Sequence, residues 1–202
     1  MARALILIAD GTEEMEFTIT YDTLVRAGVA CTSAFVPAQG ESDGETAGFN
    51  SPPFVKGSRG INILPDAYFS PQKATPERYD LLVIPGGAKG AETMAGSAPV
   101  QHLVRRYLED GKLVGMICAG SMAALTSGLS KQPLTSHPSV KANLESTFEY
   151  SEEPVVVSGK LVTSRGPGTA FPFALTLVEL LCGAEKRKEV AGPMIFPPGT
   201  FA

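Results

Sequence analysis

Leu113-Val114-Gly115-Met116-Ile117-Cys118-Ala119-Gly120-Ser121-Met122-Ala123-Ala124-Leu125 is the stretch whose reading decides the fold. Five strand-length apolar residues run into a cysteine, small residues follow, and a helix-like run begins. A cysteine so placed sits on a tight strand-to-helix turn, its side chain at the carboxyl end of a sheet. Bulk at Ala119 or Gly120 would crowd a substrate there. Helical N–H groups aimed at the sulfur would favour thiolate over thiol. Free cysteine is also a common core residue. The stretch alone leaves both readings open.

Working outward, the same pattern of continuous apolar strand and turn recurs. Arg3 to Ala9 predicts a first strand, buried on both faces, and Asp10-Gly11-Thr12 its turn. A helix follows from Glu13 to about Ala27, closed by Gly28, and Val29 to Val36 predicts a second strand. Glu13, Glu14 and Glu16 crowd the first helical turn, where carboxylates favour the positive helix end. Nothing local says which one does more. Tyr79 to Ile84 predicts a strand that ends in Pro85-Gly86-Gly87-Ala88-Lys89-Gly90. That loop reads as a tight turn or as backbone N–H donors for an oxyanion, because the Walker ending is absent. Ser97 and Pro99 predict the start of a helix with a stripe of Val100, Leu103, Val104, Tyr107 and Leu108, leaving His102 solvated. Ser158-Gly159 predicts a hairpin, and Ala170 to Leu181 an apolar helix. Alternating elements of this kind imply an α/β fold, a flavodoxin-like sandwich whose mostly parallel sheet is covered by helices on both faces. The turns after the first strand, after Ile84 and at Cys118 then converge at the carboxyl ends of strands.

Composition narrows the function classes. A chain of 202 residues, 44% hydrophobic and 19% charged, suits one soluble domain. The Gly-, Ser- and Pro-rich stretch from about 37 to 60 reads as a surface insertion within it. The net charge of −4 gives no reason to expect nucleic acid or an anionic membrane. The longest apolar runs fall short of a membrane span, and the opening residues predict no secretory signal. Cys31, Cys118 and Cys182 are odd in number and widely spaced, which implies a reducing, cytosolic or nuclear compartment. Cys31 and Cys182 read as packing. With one glycine in the first turn and no CxxC or HExxH, neither a dinucleotide nor a metal is expected.

Taken together these motifs resemble the DJ-1/PfpI superfamily, in particular its DJ-1 branch. Ala9 to Glu16 is similar to its first loop and helix, Val83-Ile84-Pro85-Gly86-Gly87 to its oxyanion loop, and Ile117-Cys118-Ala119-Gly120 to its nucleophile turn. Ser136-His137-Pro138 and Thr163 to Thr169 match in order and spacing. The resemblance covers nearly the whole chain apart from the insertion and the last dozen residues. It implies Cys118 as nucleophile, Glu16 as its carboxyl partner and His137 as the nearby imidazole. Gly86, Gly87 and Ala119 would bind the oxyanion and substrate, and Arg26 and Arg59 would attract anions, although both also read as solvated charges. Ala119 stands where peptidase-like members carry histidine, which disfavours a peptidase, and the spacing of Gly115 to Cys118 disfavours an amidotransferase. Leu64 replaces the peripheral cysteine of the branch.

The implied activity is a cofactor-independent, glutathione-independent glyoxalase of the lactate-forming lyase type, which would place the chain in methylglyoxal detoxification. In it, Cys118 adds to an α-oxoaldehyde and Glu16 shuttles the proton. Two other readings are a sensor or chaperone of oxidative stress, acting through oxidation of Cys118, and a protein deglycase. The resemblance also implies a homodimer, within the cytoplasmic or nuclear compartment that the cysteines imply. A cysteine with pKa about 8.5 is already roughly 7% thiolate at a pH of about 7.4, so full ionisation gains only about tenfold. Orientation, oxyanion donors and proton transfer must supply the remainder.

Overall fold

The computed structural model describes residues 1–38, 40 and 54–200. Most of the surface insertion expected at 37–60, namely 39 and 41–53, lies outside the described residues. The chain forms β1 (Arg3–Ile8), α1 (Glu14–Arg26), β2 (Ala30–Phe35), β3 (Val55–Lys56), β4 (Asn62–Ile63), β5 (Ala67–Tyr68) and β6 (Leu81–Ile84). Next come α2 (Ala88–Gly96), α3 (Ala98–Glu109), β7 (Leu113–Ile117), α4 (Met122–Thr126), β8 (Pro133–Leu134), α5 (Lys141–Leu144) and β9 (Glu149–Tyr150). The hairpin β10 (Val155–Ser158) and β11 (Leu161–Ser164) leads to α6 (Ala170–Cys182) and α7 (Ala184–Ala191).

Seven strands make the main sheet in the order β10-β11-β7-β6-β1-β2-β5. Every pair in it is parallel except β10 with β11. The two-residue period of β1 divides the core. Leu5 and Leu7 face Met94, Val100, Val104 and Tyr107 on one side of the sheet. Ala4, Ile6 and Ile8 face Phe17, Leu24, Phe173 and Leu177 on the other. Gly115 brings α6 close to that second face, because an added Cβ would lie 2.9 Å from Phe173 Cζ. These are the layers of a flavodoxin-like sandwich. Strand order reverses at β1, which sends the chain first to β2 and later to β6, so a crevice opens at the carboxyl ends of β1 and β6.

Four expectations need correction. Residues 88–96 form a helix directly after Gly87 instead of continuing a loop; Gly90 and Gly96 masked it. Ser97 does cap α3, but its side chain makes no capping hydrogen bond. Val55 to Gly60 is built into the protein as a hairpin with β4, tied by Gly11 N–H donating to the Lys56 carbonyl at 2.8 Å. The chain also continues past the apolar helix into α7, whose charged sequence carries no core-facing stripe. No helix among the described residues is long and apolar enough to cross a membrane.

Candidate active site

Three turns build the site, each at the carboxyl end of a neighbouring strand. After β1, Thr12 Oγ1 accepts the Ala9 N–H at 3.0 Å, and the Glu13 carboxylate caps α1 by accepting the Glu16 N–H at 2.8 Å. Thr20 Oγ1 donates to the Glu16 carbonyl at 2.7 Å. Glu16, one turn into the helix, is therefore fixed in backbone and fully buried. After β6, Gly86 and Gly87 run beneath it. The Gly86 carbonyl accepts the Glu13 N–H at 3.0 Å, and Gly87 holds φ +84° against the Gly11 carbonyl, space that no Cβ can share.

After β7, Cys118 is one of two non-glycine residues with positive φ among those described, at +63°. That conformation costs about 1–2 kcal/mol in an ordinary residue. It is held by the short turn Cys118–Ser121, by Ser121 Oγ donating to the Thr135 carbonyl at 2.9 Å, and by the His137 N–H donating to the Cys118 carbonyl at 3.3 Å. Gly120 must be glycine, since a Cβ there would collide with the carbonyls of Ile84 and Pro85. The strained turn aims the sulfur across Gly86 toward Glu16. An added Cβ on Gly86 would lie 2.5 Å from Cys118 Cβ, 2.9 Å from Cys118 Sγ and 2.7 Å from Glu16 Oε2.

The electrostatics follow from this burial. Glu16 Oε2 accepts the Gly86 N–H at 2.7 Å, while Oε1 is buried without a hydrogen-bond partner among the described residues. Burial pushes the Glu16 carboxyl up to about 7, against the pull of Cys118 and the Gly86 N–H. Burial, then the negative charge of Glu16, push the Cys118 thiol up to about 12, although hydrogen bonds from the Ala119 and Gly87 N–H groups favour the thiolate. The backbone donors are in place, but burial and Glu16 outweigh them. The pair sheds one proton near neutrality and keeps the second, which stays on the thiol side.

The structure brings Cys118, Glu16, Gly86, Gly87 and Ala119 together. His137 reaches Cys118 through its backbone. Its ring Nδ1 accepts the Ser139 N–H at 3.2 Å, which places the proton of the neutral ring on Nε2. Arg26 is not brought in within the chain. It pairs with Asp22 at 2.5 Å near the far end of α1, about 15 Å along the axis from Glu16. Arg59 lies on the hairpin beyond Glu14, with its N–H on Glu14 Oε1 at 2.5 Å. Sequence reasoning missed Ser58 and Ile61, which share that carboxylate with Arg59. No local signal marks them, because the contact spans more than forty residues. Cys31 and Cys182 are half-buried, and burial raises both thiols. No group of three His, Cys, Asp or Glu side chains suited to a metal occurs among the described residues.

Comparison with known proteins agrees with this geometry. The model of the DJ-1/PfpI family matches residues 2–180. The chain is 40% identical over 190 residues to Protein dj-1beta of Drosophila melanogaster, covering 93% of this chain and 94% of that one. It is 34% identical over 202 residues to the glutathione-independent glyoxalase DJ-1 of Schizosaccharomyces pombe, covering 98% and 100%. The crystal structure of Drosophila melanogaster DJ-1beta superposes with a TM-score of 0.85 at 38% identity, covering 97% of this chain and 98% of that one.

Proposed function

The chain belongs to the DJ-1/PfpI family, and from that premise we propose that it is a glutathione-independent glyoxalase converting methylglyoxal and similar α-oxoaldehydes to the 2-hydroxy acid. The observation that carries this reading is the convergence of Cys118 Sγ and Glu16 Oε2 on one glycine, with a second Glu16 oxygen left unpartnered. Cys118 is 8% exposed, which admits only a small substrate.

The Cys118 thiol passes its proton to the Glu16 carboxylate as the sulfur adds to the aldehyde carbon, forming a hemithioacetal whose oxygen takes the N–H groups of Gly87 and Ala119. Glu16 hands the thiol proton on to the hemithioacetal oxygen, then as carboxylate removes the proton from that carbon and returns it to the neighbouring carbon, while the hydroxyl proton passes from the first oxygen to the second. One carbon is oxidised and its neighbour reduced, so no cofactor is called for. Water then cleaves the resulting thioester, with His137 assisting proton transfer, and lactate leaves. Protein incubated with methylglyoxal and no glutathione should release lactate over many turnovers. Cys118→Ala and Glu16→Gln should abolish it; one equivalent of substrate consumed without lactate would refute the reading.

The unpartnered Glu16 oxygen also favours a second reading, in which peroxide oxidises Cys118 to a sulfinate held by Glu16. Intact-mass analysis after mild peroxide should then show two added oxygens at Cys118 ahead of Cys31 and Cys182. We further propose a homodimer in a reducing, cytoplasmic or nuclear compartment. Val25 and Leu64 are 48% and 55% exposed beside a cavity shared with Phe17, Tyr21 and Ile63, an apolar face suited to a second copy. Leu64→Asp with Val25→Asp should give a monomer by sedimentation; an unchanged mass would refute that face.

A further inference from the structure

A second cavity, of about 400 Å3, begins one residue beyond Gly87. Its walls include Asp10, Gly11, Lys56, Arg59, Ala88 and Lys89. Its volume falls within the range of small-molecule sites, about 300–1,000 Å3. The glyoxalase reaction described above uses none of these side chains.

The charges around it do not balance. Among the described residues lining the cavity, Asp10 is the one carboxylate against three cations, and it is already engaged. Its Oδ1 accepts the Lys56 N–H at 3.0 Å, and its Oδ2 lies 3.9 Å from Lys89 Nζ, at the limit of an ion pair. The Lys56 ammonium has no ion pair among the described residues. The Arg59 guanidinium donates Nη1 to the Ser58 carbonyl at 3.3 Å, a neutral acceptor. The Glu14 carboxylate lies behind the Gly57 wall, held by neutral donors, Ser58 Oγ at 2.9 Å and the Arg59 N–H, and so keeps its charge. Three cations against Asp10 and the Glu14 carboxylate behind Gly57 leave a surplus of one positive charge at one cavity of a chain whose net charge is −4. Like charges gathered in this way repel unless an anion joins them.

The backbone is arranged to the same end. Gly11 holds φ +85°, and a Cβ on it would lie 2.7 Å from Lys89 Cβ, so only glycine lets the lysine cross the floor of the cavity. Lys89 stands in the first turn of α2, whose cap residue Gly87 offers no side-chain acceptor. The positive end of that helix therefore adds to the field of the cations. Lysine ammoniums act on phosphate as compact point charges.

We propose that this cavity binds a phosphate-class anion, either free phosphate or a phosphate monoester, with Lys56 and Lys89 as its principal charges and Arg59 at its rim. Binding there requires neither Cys118 nor Glu16, so the site stands or falls independently of the glyoxalase reaction.

Titration of the isotope-labelled full chain with inorganic phosphate, and separately with glycerol 3-phosphate, at constant ionic strength tests this. Saturable shifts are expected at the amides of Gly57, Arg59, Ala88 and Lys89, and the tighter ligand tells free phosphate from ester. The double variant Lys56→Met, Lys89→Met should weaken binding at least about tenfold. Cys118→Ala, and Lys131→Met at an exposed lysine away from the cavity, should bind as the parent chain does. Shifts that stay linear in ligand, or equal weakening in Lys131→Met, would overturn the proposal.

Discussion

Glu14 and Glu16 stand two residues apart in one helical turn, both are buried, and they lead opposite chemical lives. Burial alone would raise Glu14, but the Arg59 N–H, the Ser58 hydroxyl and the Ile61 N–H together hold it below its usual 4.5. Glu16 receives the Gly86 N–H and faces the Cys118 sulfur, and burial carries it to about 7. Glu14 is a clasp between α1 and the β3–β4 hairpin that stays charged at neutral pH. Glu16 is a carboxyl that changes protonation near neutral pH, as a proton shuttle must. Residue type and helix position are shared; the number of donors each oxygen meets separates them.

The largest expected effect lies on the Glu16 side. Glu16→Gln preserves volume but cannot carry the proton, and should lower kcat/KM with methylglyoxal by about 10²–10⁴. Glu14→Gln should stay within about tenfold of the parent, because the clasp does not touch the reacting atoms. Equal losses in the two variants would break the contrast.

Gly86→Ala comes next. Its methyl group would occupy the space between Cys118 and Glu16, and should lower kcat/KM by about 10² while destabilising the fold by about 1–3 kcal/mol. A variant with full activity would mean that the two side chains are not held together as described.

The effect of Glu14 should appear in stability. Glu14→Gln should cost about 1.5–3 kcal/mol in urea unfolding at neutral pH, since its bonds are made to a charged group. Because the folded pKa of Glu14 is lowered, its contribution is complete above about 4.5 and fades as pH falls through the folded value. The gap between parent and Glu14→Gln should accordingly narrow on acidification. Glu16 has the opposite sign: the preference of the fold for its protonated form stabilises below about 4.5 and is lost as pH rises toward 7. Ser58→Ala should be the smallest step, removing one bond to Glu14 for about 1 kcal/mol with no change in kcat/KM.

The two carboxylates also mark how far the sequence could be read. Continuous apolar runs located β1, β6 and β7, and small residues around Cys118 located the nucleophile turn, because both signals are local. The helix α2 was hidden by Gly90 and Gly96, and the two-residue β5 is too short to show a period. The roles of Glu14 and Glu16 were beyond local reading, since Ser58, Arg59 and Gly86 reach them from distant turns. Resemblance to a family singled out Glu16; the structure supplies the physical reason. The raised Cys118 thiol was likewise hidden, because burial is a property of the assembled sheet and not of the turn.

The central claim is that Cys118 shares a proton with Glu16 and not with Glu14. The most direct test is the rate of Cys118 alkylation by iodoacetamide across pH, in the parent chain, Glu16→Gln and Glu14→Gln. The one-proton pair forms as pH rises, so the parent and Glu14→Gln should each show a rate that climbs through an inflection near 7. Glu16→Gln should lose that inflection. If it persists in Glu16→Gln, or disappears in Glu14→Gln, the carboxyl that works with Cys118 is not Glu16.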